Sequence, residues 1–123
     1  MRKTFVTLML LAGAAPALAS TFTSGNLVVL RVGDGAAALS SAAQASFLDE
    51  YTPGGVLVQS IAMPSALAGA NRRVTLNGTA TSEGELTRSS DGRYLTFAGY
   101  DAAVGTAAVN GTTSASVNRV VAR

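Results

Sequence analysis

Ala45-Ser46-Phe47-Leu48-Asp49-Glu50-Tyr51, Thr52-Pro53-Gly54-Gly55 and Val56-Leu57-Val58-Gln59-Ser60-Ile61-Ala62 follow one another without interruption. The two flanking runs are rich in apolar, aromatic and β-branched residues. The four residues between them are turn formers, because proline presets φ and glycine accepts a positive φ. Residues 45–62 therefore predict a β-hairpin, with strands over 45–51 and 56–62. Asp49 and Glu50 are adjacent, so on a strand they point to opposite faces and form no acid/base pair.

The same pattern extends in both directions. Asn26 to Val32 is entered through Ser24-Gly25 and left through Gly33-Asp34-Gly35. Apart from Arg31 it is apolar on both faces, which predicts a strand covered on both sides. Ala36 to Ala45 is rich in Ala and Ser and reads as a loop. Arg73 to Leu76 predicts a short strand before an Asn77-Gly78 turn. Glu85 to Ser89 and Arg93 to Gly99 surround Asp91-Gly92, a second tight turn. Val117 to Ala122 is the last strand. No run after residue 19 sustains apolar residues at helical spacing, so this part of the chain is expected to be all-β.

The first 19 residues have a different character. Met1, Arg2 and Lys3 form a positive head, and Phe5 to Ala15 form an apolar stretch interrupted by Thr7 and Gly13. Pro16 breaks it, and Ala17-Leu18-Ala19 supplies the small-x-small pattern of a signal peptidase site. Cleavage is expected between Ala19 and Ser20. The apolar run is shorter than the roughly 20 residues of a bilayer span. The expectation is a cleaved signal peptide, export to a periplasmic or extracellular location, no membrane span, and one β-rich domain over residues 20–123.

Composition narrows the chemistry. Nine basic residues face seven acidic ones, and because Arg2 and Lys3 belong to the leader, the remainder is balanced. A neutral remainder without clustered Lys and Arg argues against nucleic acid as a partner. There is no cysteine, so no disulfide staples the fold. There is no histidine, and the one lysine is Lys3, which excludes Ser-His-Asp, Cys-His, thiolate and Schiff-base catalysis from this chain alone.

What remains is carboxylates, hydroxyls and arginines. Glu83 and Glu85 lie two apart, so on a strand they would share a face, as a glycosidase-like acid/base pair requires at minimum. Flanking Gly84 in a polar stretch, they read first as solvated turn residues. Asp34, Asp91 and Asp101 neighbour glycines, but the spaced D-x-[DN]-x-[DN]-G pattern of a calcium loop is missing, and turn-forming Asp is the better account. Asn77-Gly78-Thr79 and Asn110-Gly111-Thr112 match the N-glycosylation pattern and read as Asn-Gly turns. Tyr51, Tyr94, Tyr100, Phe47 and Phe97 are expected in the core rather than in a ligand groove. Arg72-Arg73 reads as a solvated basic pair. No residue is assigned a catalytic, cofactor-binding or metal role.

A weak repeat runs through this order. Asn26 to Asp34 and Arg93 to Asp101 are each followed by a small-residue loop and another strand, with Asp34 and Asp101 67 residues apart. Ser89-Ser90-Asp91-Gly92-Arg93-Tyr94-Leu95 resembles the inner hairpin of bacterial secreted propellers. Gly25 to Val29, Phe47 to Pro53, Leu57 to Ile61 and Gly99 to Asp101 together look like the N-terminal part of a group of large exported bacterial proteins of unknown function that are propeller-like. That resemblance implies a partial β-propeller of about one and a half blades, either a truncated product or one that assembles through exposed strand edges. The alternative fold is a small β-sandwich. The expected function is an exported non-enzymatic structural or interaction module whose partner is a protein or a surface glycan, with no cofactor. The alternative is part of a carboxylate-based secreted hydrolase whose site lies mostly outside this chain.

Overall fold

Seven strands follow one another in the computed structural model, which describes residues 21–123. They are β1 (Leu27–Val32), β2 (Ala43–Tyr51), β3 (Leu57–Ala62), β4 (Thr75–Asn77), β5 (Thr87–Arg88), β6 (Leu95–Tyr100) and β7 (Arg119–Ala122). One 3-10 turn, Val109–Gly111, is the only helical element among the described residues. The chain is all-β there, as its turn chemistry and strand runs predict. The leader and its cleavage residues Ala17, Ala19 and Ser20 lie outside the described residues.

The hairpin over residues 45–62 forms as expected. Thr52 N–H donates to Val56 O and Gly55 N–H to Thr52 O, each at 2.9 Å, and Gly55 adopts a φ of 83° that a side chain would oppose. β2 nevertheless begins at Ala43, inside the segment expected to be a loop. Ala43 N–H donates to Thr106 O, and Gly105 N–H donates to Ala43 O, both at 2.8 Å. A loop some sixty residues away in sequence thus completes this strand, and local composition carries no trace of that pairing.

All pairings are antiparallel. β1 lies along one edge of β2, from Val32↔Ser46 to Leu27↔Tyr51. The other edge is divided. β3 takes residues 47–51, with a bulge between Glu50 and Tyr51, and β4 takes Ala43, Gln44 and Ala45. β4 then bridges to β6 through Thr75↔Tyr100, and β6 is flanked by β5 and β7. Two three-stranded meanders, β1–β2–β3 and β5–β6–β7, are therefore joined through β4 into one curled, half-barrel sheet.

The curl buries one face. Leu48, Val74, Leu76 and Phe97 form its centre, and Val28, Leu30, Val32, Ile61 and Val120 pack around them. These residues alternate along their strands, as the period of two requires. Gly99 lies where β6 passes β4, and a Cβ there would sit 2.9 Å from Thr75 O, so the crossing needs a residue without a side chain. A smaller cluster on the opposite face comprises Ala43, Tyr100, Ala102 and Val109.

β1 departs from its expected setting. Leu27 and Val29 remain 59% and 49% exposed, because the curled sheet covers only the face carrying Val28, Leu30 and Val32. An apolar pattern on both faces predicts two covering layers, and among the described residues one is present.

Leu76→Ala is expected to destabilise the protein by about 2–5 kcal/mol, since Leu76 is 1% exposed at the centre of the core. Leu27→Ala is expected to cost no more than about 0.5 kcal/mol. Urea denaturation of the two variants tests this contrast.

Candidate functional site

β6 ends on Tyr100, whose ring faces away from the main core. Its hydroxyl donates to Glu83 Oε1 at 2.5 Å, while Glu83 Oε2 accepts the backbone N–H of Asn77 at 3.2 Å. The Arg119 guanidinium stacks 4.6 Å from the Tyr100 ring centre and donates to Thr112 O and Val117 O. Burial, aided by the Glu83 hydrogen bond, pushes the Tyr100 phenol up to about 12. A shallow groove of about 310 Å³ lies here, with Glu83, Glu85, Tyr100 and Arg119 among its lining residues.

The groove thus brings Glu83 and Glu85 together, but not as neighbours on a strand. Both lie in the irregular segment between β4 and β5, with Gly84 at a φ of 77° between them. Glu83 is half-buried and uses both oxygens to hold Tyr100 and β4, whereas Glu85 is exposed. A glycosidase needs carboxyl groups on opposite sides of a sugar, usually from separate elements. One short loop supplies both here, and one of the two already serves as a brace.

Three other carboxylates are buried, each held differently. Asp49 points to the outer face of the sheet, where Arg31 Nε donates to Oδ2 at 2.6 Å and Ser60 Oγ donates to Oδ1 at 2.5 Å. Arg31 also covers the Phe47 ring at 4.1 Å. Glu50, its neighbour, points inward and is fully buried. It accepts Gln59 Nε2 at 2.6 Å, Thr23 N–H at 2.7 Å and Asn26 Nδ2 at 2.7 Å. Asp101 accepts Arg73 Nε at 2.8 Å, with Arg72 Nη1 at 3.6 Å.

These bonds favour the charged forms. The Arg31 guanidinium holds Asp49 below the usual carboxylate range, and Arg73 does the same for Asp101. For Glu50 the Gln59 and Thr23 hydrogen bonds outweigh burial and bring it down to about 2.

The remaining sequence candidates fall into place as turns and packing. Asp34 Oδ1 accepts Ala36 N–H at 2.9 Å, and Asp91 Oδ1 accepts Ser89 Oγ at 2.6 Å and Arg93 N–H at 3.1 Å. Asp34 and Asp91 close their own turns, as turn-forming Asp does, and Asp101 is taken up by arginine. Asn77 is buried, accepts Thr79 and Ala80 N–H, and donates to Ser41 O. Asn110 lies in the 3-10 turn. Phe97 and Tyr100 are buried and Phe47 and Tyr51 half-buried, but Tyr94, expected in the core, is 40% exposed, with Arg123 stacked on its ring.

Two features escape a reading by segments. Arg73 is no solvated residue, because Asp101, 28 positions away, lies against it. The Glu50 network gathers groups from the chain before β1 and from β3. Its one sequence signal is a pair of adjacent acids directly after Phe47 and Leu48, in a strand whose neighbours bury it, where charge persists only if its partners are built in.

Comparison with protein-family models, curated proteins and solved structures returned no match.

Stability is expected to decline in acid. A carboxylate whose pKa is lower in the folded chain stabilises it above the unfolded value, and that contribution vanishes as pH falls through the folded one. For Glu50 the window runs from 4.5 down to about 2. Glu50→Gln is expected to be less stable than the parent at pH 7 and to show a shallower loss across this window, read from denaturation midpoints. In an alkaline absorbance titration, Tyr100→Phe should lack the step near pH 12.

Proposed function

We propose that the chain is an exported, non-enzymatic structural or interaction module built on propeller-like strand units. The observation that carries this reading is the use made of the acidic side chains. Glu83, Asp49, Glu50, Asp91 and Asp101 each accept hydrogen bonds from their own chain. With histidine and cysteine missing, the carboxylates other than the exposed Glu85 are engaged in holding the fold, while apolar side chains stand on an open face. Leu27, Val29 and Leu57 are each about half exposed around Tyr51, to which Leu27 and Leu57 are directly paired. Surface of this kind is characteristic of contact with another protein.

Export rests on the positive head, apolar stretch and Ala17-Leu18-Ala19 pattern of the leader. The propeller-like reading rests on the two meanders and on the repeat that sets β6–β7 beside β1–β2; blades are such meanders set around an axis. The β4 ladder joins these two edge to edge, so a further ring of units would have to assemble on the open faces.

A carboxylate-based hydrolase is the second reading, favoured by one observation: Glu83 and Glu85 share a groove with Tyr100 and Arg119. Assays of the purified protein on chromogenic glycosides and esters separate the two. Turnover at the buffer rate is expected, unchanged in Glu85→Gln. Hydrolysis that disappears in Glu85→Gln would replace the module reading with the enzymatic one. N-terminal sequencing of the exported product is expected to begin at Ser20.

A further inference from the structure

The half-barrel has a seam. β7 pairs with β6 along one edge only, and no described strand lies on the other. Asn118 O accepts Asp101 N–H at 2.9 Å, so the backbone groups of Asn118 turn toward the β6 side. Backbone direction alternates along a strand, so Arg119 and Val121 direct their N–H and C=O groups outward. Val121 is also 73% exposed, the most open of the large apolar side chains.

Beside this strand runs a groove of about 710 Å³, lined by β7 and by parts of the segment that leaves β3. Met63, Val74, Val120 and Ala122 give it apolar walls, and all four belong to the main core cluster. The core is therefore reachable from the seam. Arg72 and Arg123 stand on the lining as well. Arg72 is 63% exposed and reaches Asp101 only at 3.6 Å, a carboxylate that Arg73 already binds. Arg119 and Arg123 have no carboxylate partner among the described residues; they stack on Tyr100 and Tyr94.

We propose that this seam is a docking groove for an extended acidic peptide, taken up as an added antiparallel strand on β7. The free N–H and C=O groups supply a ladder, the apolar wall accepts alternate side chains, and the arginines select acidic residues at the others. In the sequence repeat β6–β7 stand where β1–β2 do, and there the edge of β2 away from β1 is covered by β3. A second copy of this chain fits poorly. Antiparallel pairing of two β7 strands about Val121 sets Arg119 opposite Arg123, and like charges directly opposed are destabilising.

This deepens the interaction-module reading and rests on it. The test uses the purified protein and fluorescein-labelled peptides of alternating valine and glutamate, alternating valine and lysine, and the glutamate peptide interrupted by proline. Anisotropy titration is expected to show saturable binding of the glutamate peptide alone, with slowed hydrogen exchange at the Val121 amide. Val121→Pro removes the outward N–H and should weaken binding by about tenfold or more, with far-UV circular dichroism unchanged. Arg72→Glu combined with Arg123→Glu should transfer the preference to the lysine peptide, and this pair decides the matter if Val121→Pro fails to fold.

Equal binding of the glutamate and lysine peptides, indifference to the charge reversal, or no saturable binding would overturn the proposal. So would a concentration-dependent dimer abolished by Val121→Pro, which would give the edge to a second copy. None of these touches the module reading, which falls to Glu85-dependent turnover instead.

Discussion

β2 has neighbours on both edges along nearly its whole length, and the rest of the molecule is arranged by that demand. Backbone N–H and C=O groups inside a fold require partners, and nine consecutive residues present them to both sides. β1 and β3 satisfy the half toward Tyr51, while β4 and the Gly105–Thr106 loop satisfy the half toward Ala43. Because β4 also pairs with β6, the strand that completes β2 is the one that carries the second meander. Thr75 reinforces this junction, since its hydroxyl donates to Tyr100 O and Ala102 O at 3.2 Å each. The groove at Glu83 and the seam at β7 thus owe their positions to a three-residue strand.

Charge is distributed according to the same geometry. Within the sheet, acids are buried and matched: Asp49 by an arginine stacked on Phe47, Asp101 by Arg73, and Glu50 by neutral donors. At the margin of the second meander, arginines rest on aromatic rings without acidic partners. Residues 21–123, formally neutral, therefore combine buried, matched carboxylates with a cationic border. Net charge reports neither, because it sums over groups that face different surroundings.

What was legible in the sequence is what neighbouring residues decide. Thr52-Pro53-Gly54-Gly55 and Asp91-Gly92 placed both hairpins, because turn preferences act over four residues. Asp34 and Asp91 are legible as turn residues on the same ground. The start of β2 at Ala43, the Arg73–Asp101 contact and the exposed face of β1 were not legible, since each depends on a segment distant in sequence or on a layer that is missing. The spacing of Glu83 and Glu85 marks them as a pair, and they do share a groove. The partner that assigns Glu83 its task, Tyr100, lies 17 residues away and carries no local mark.

The adjacent acids of β2 also guard against error while the chain is finding its partners. If β2 slipped by one position against β1, every side chain would exchange sides. If the slip carried Asp49 to the place of Glu50, its shorter arm would face Asn26 and Gln59, Leu48 would lie against Arg31 in place of aspartate, and Glu50 would move to the outer face beside Leu27. The misaligned pairing therefore leaves donors short of a partner inside the sheet and a guanidinium without its carboxylate outside it, a cost on both surfaces at once.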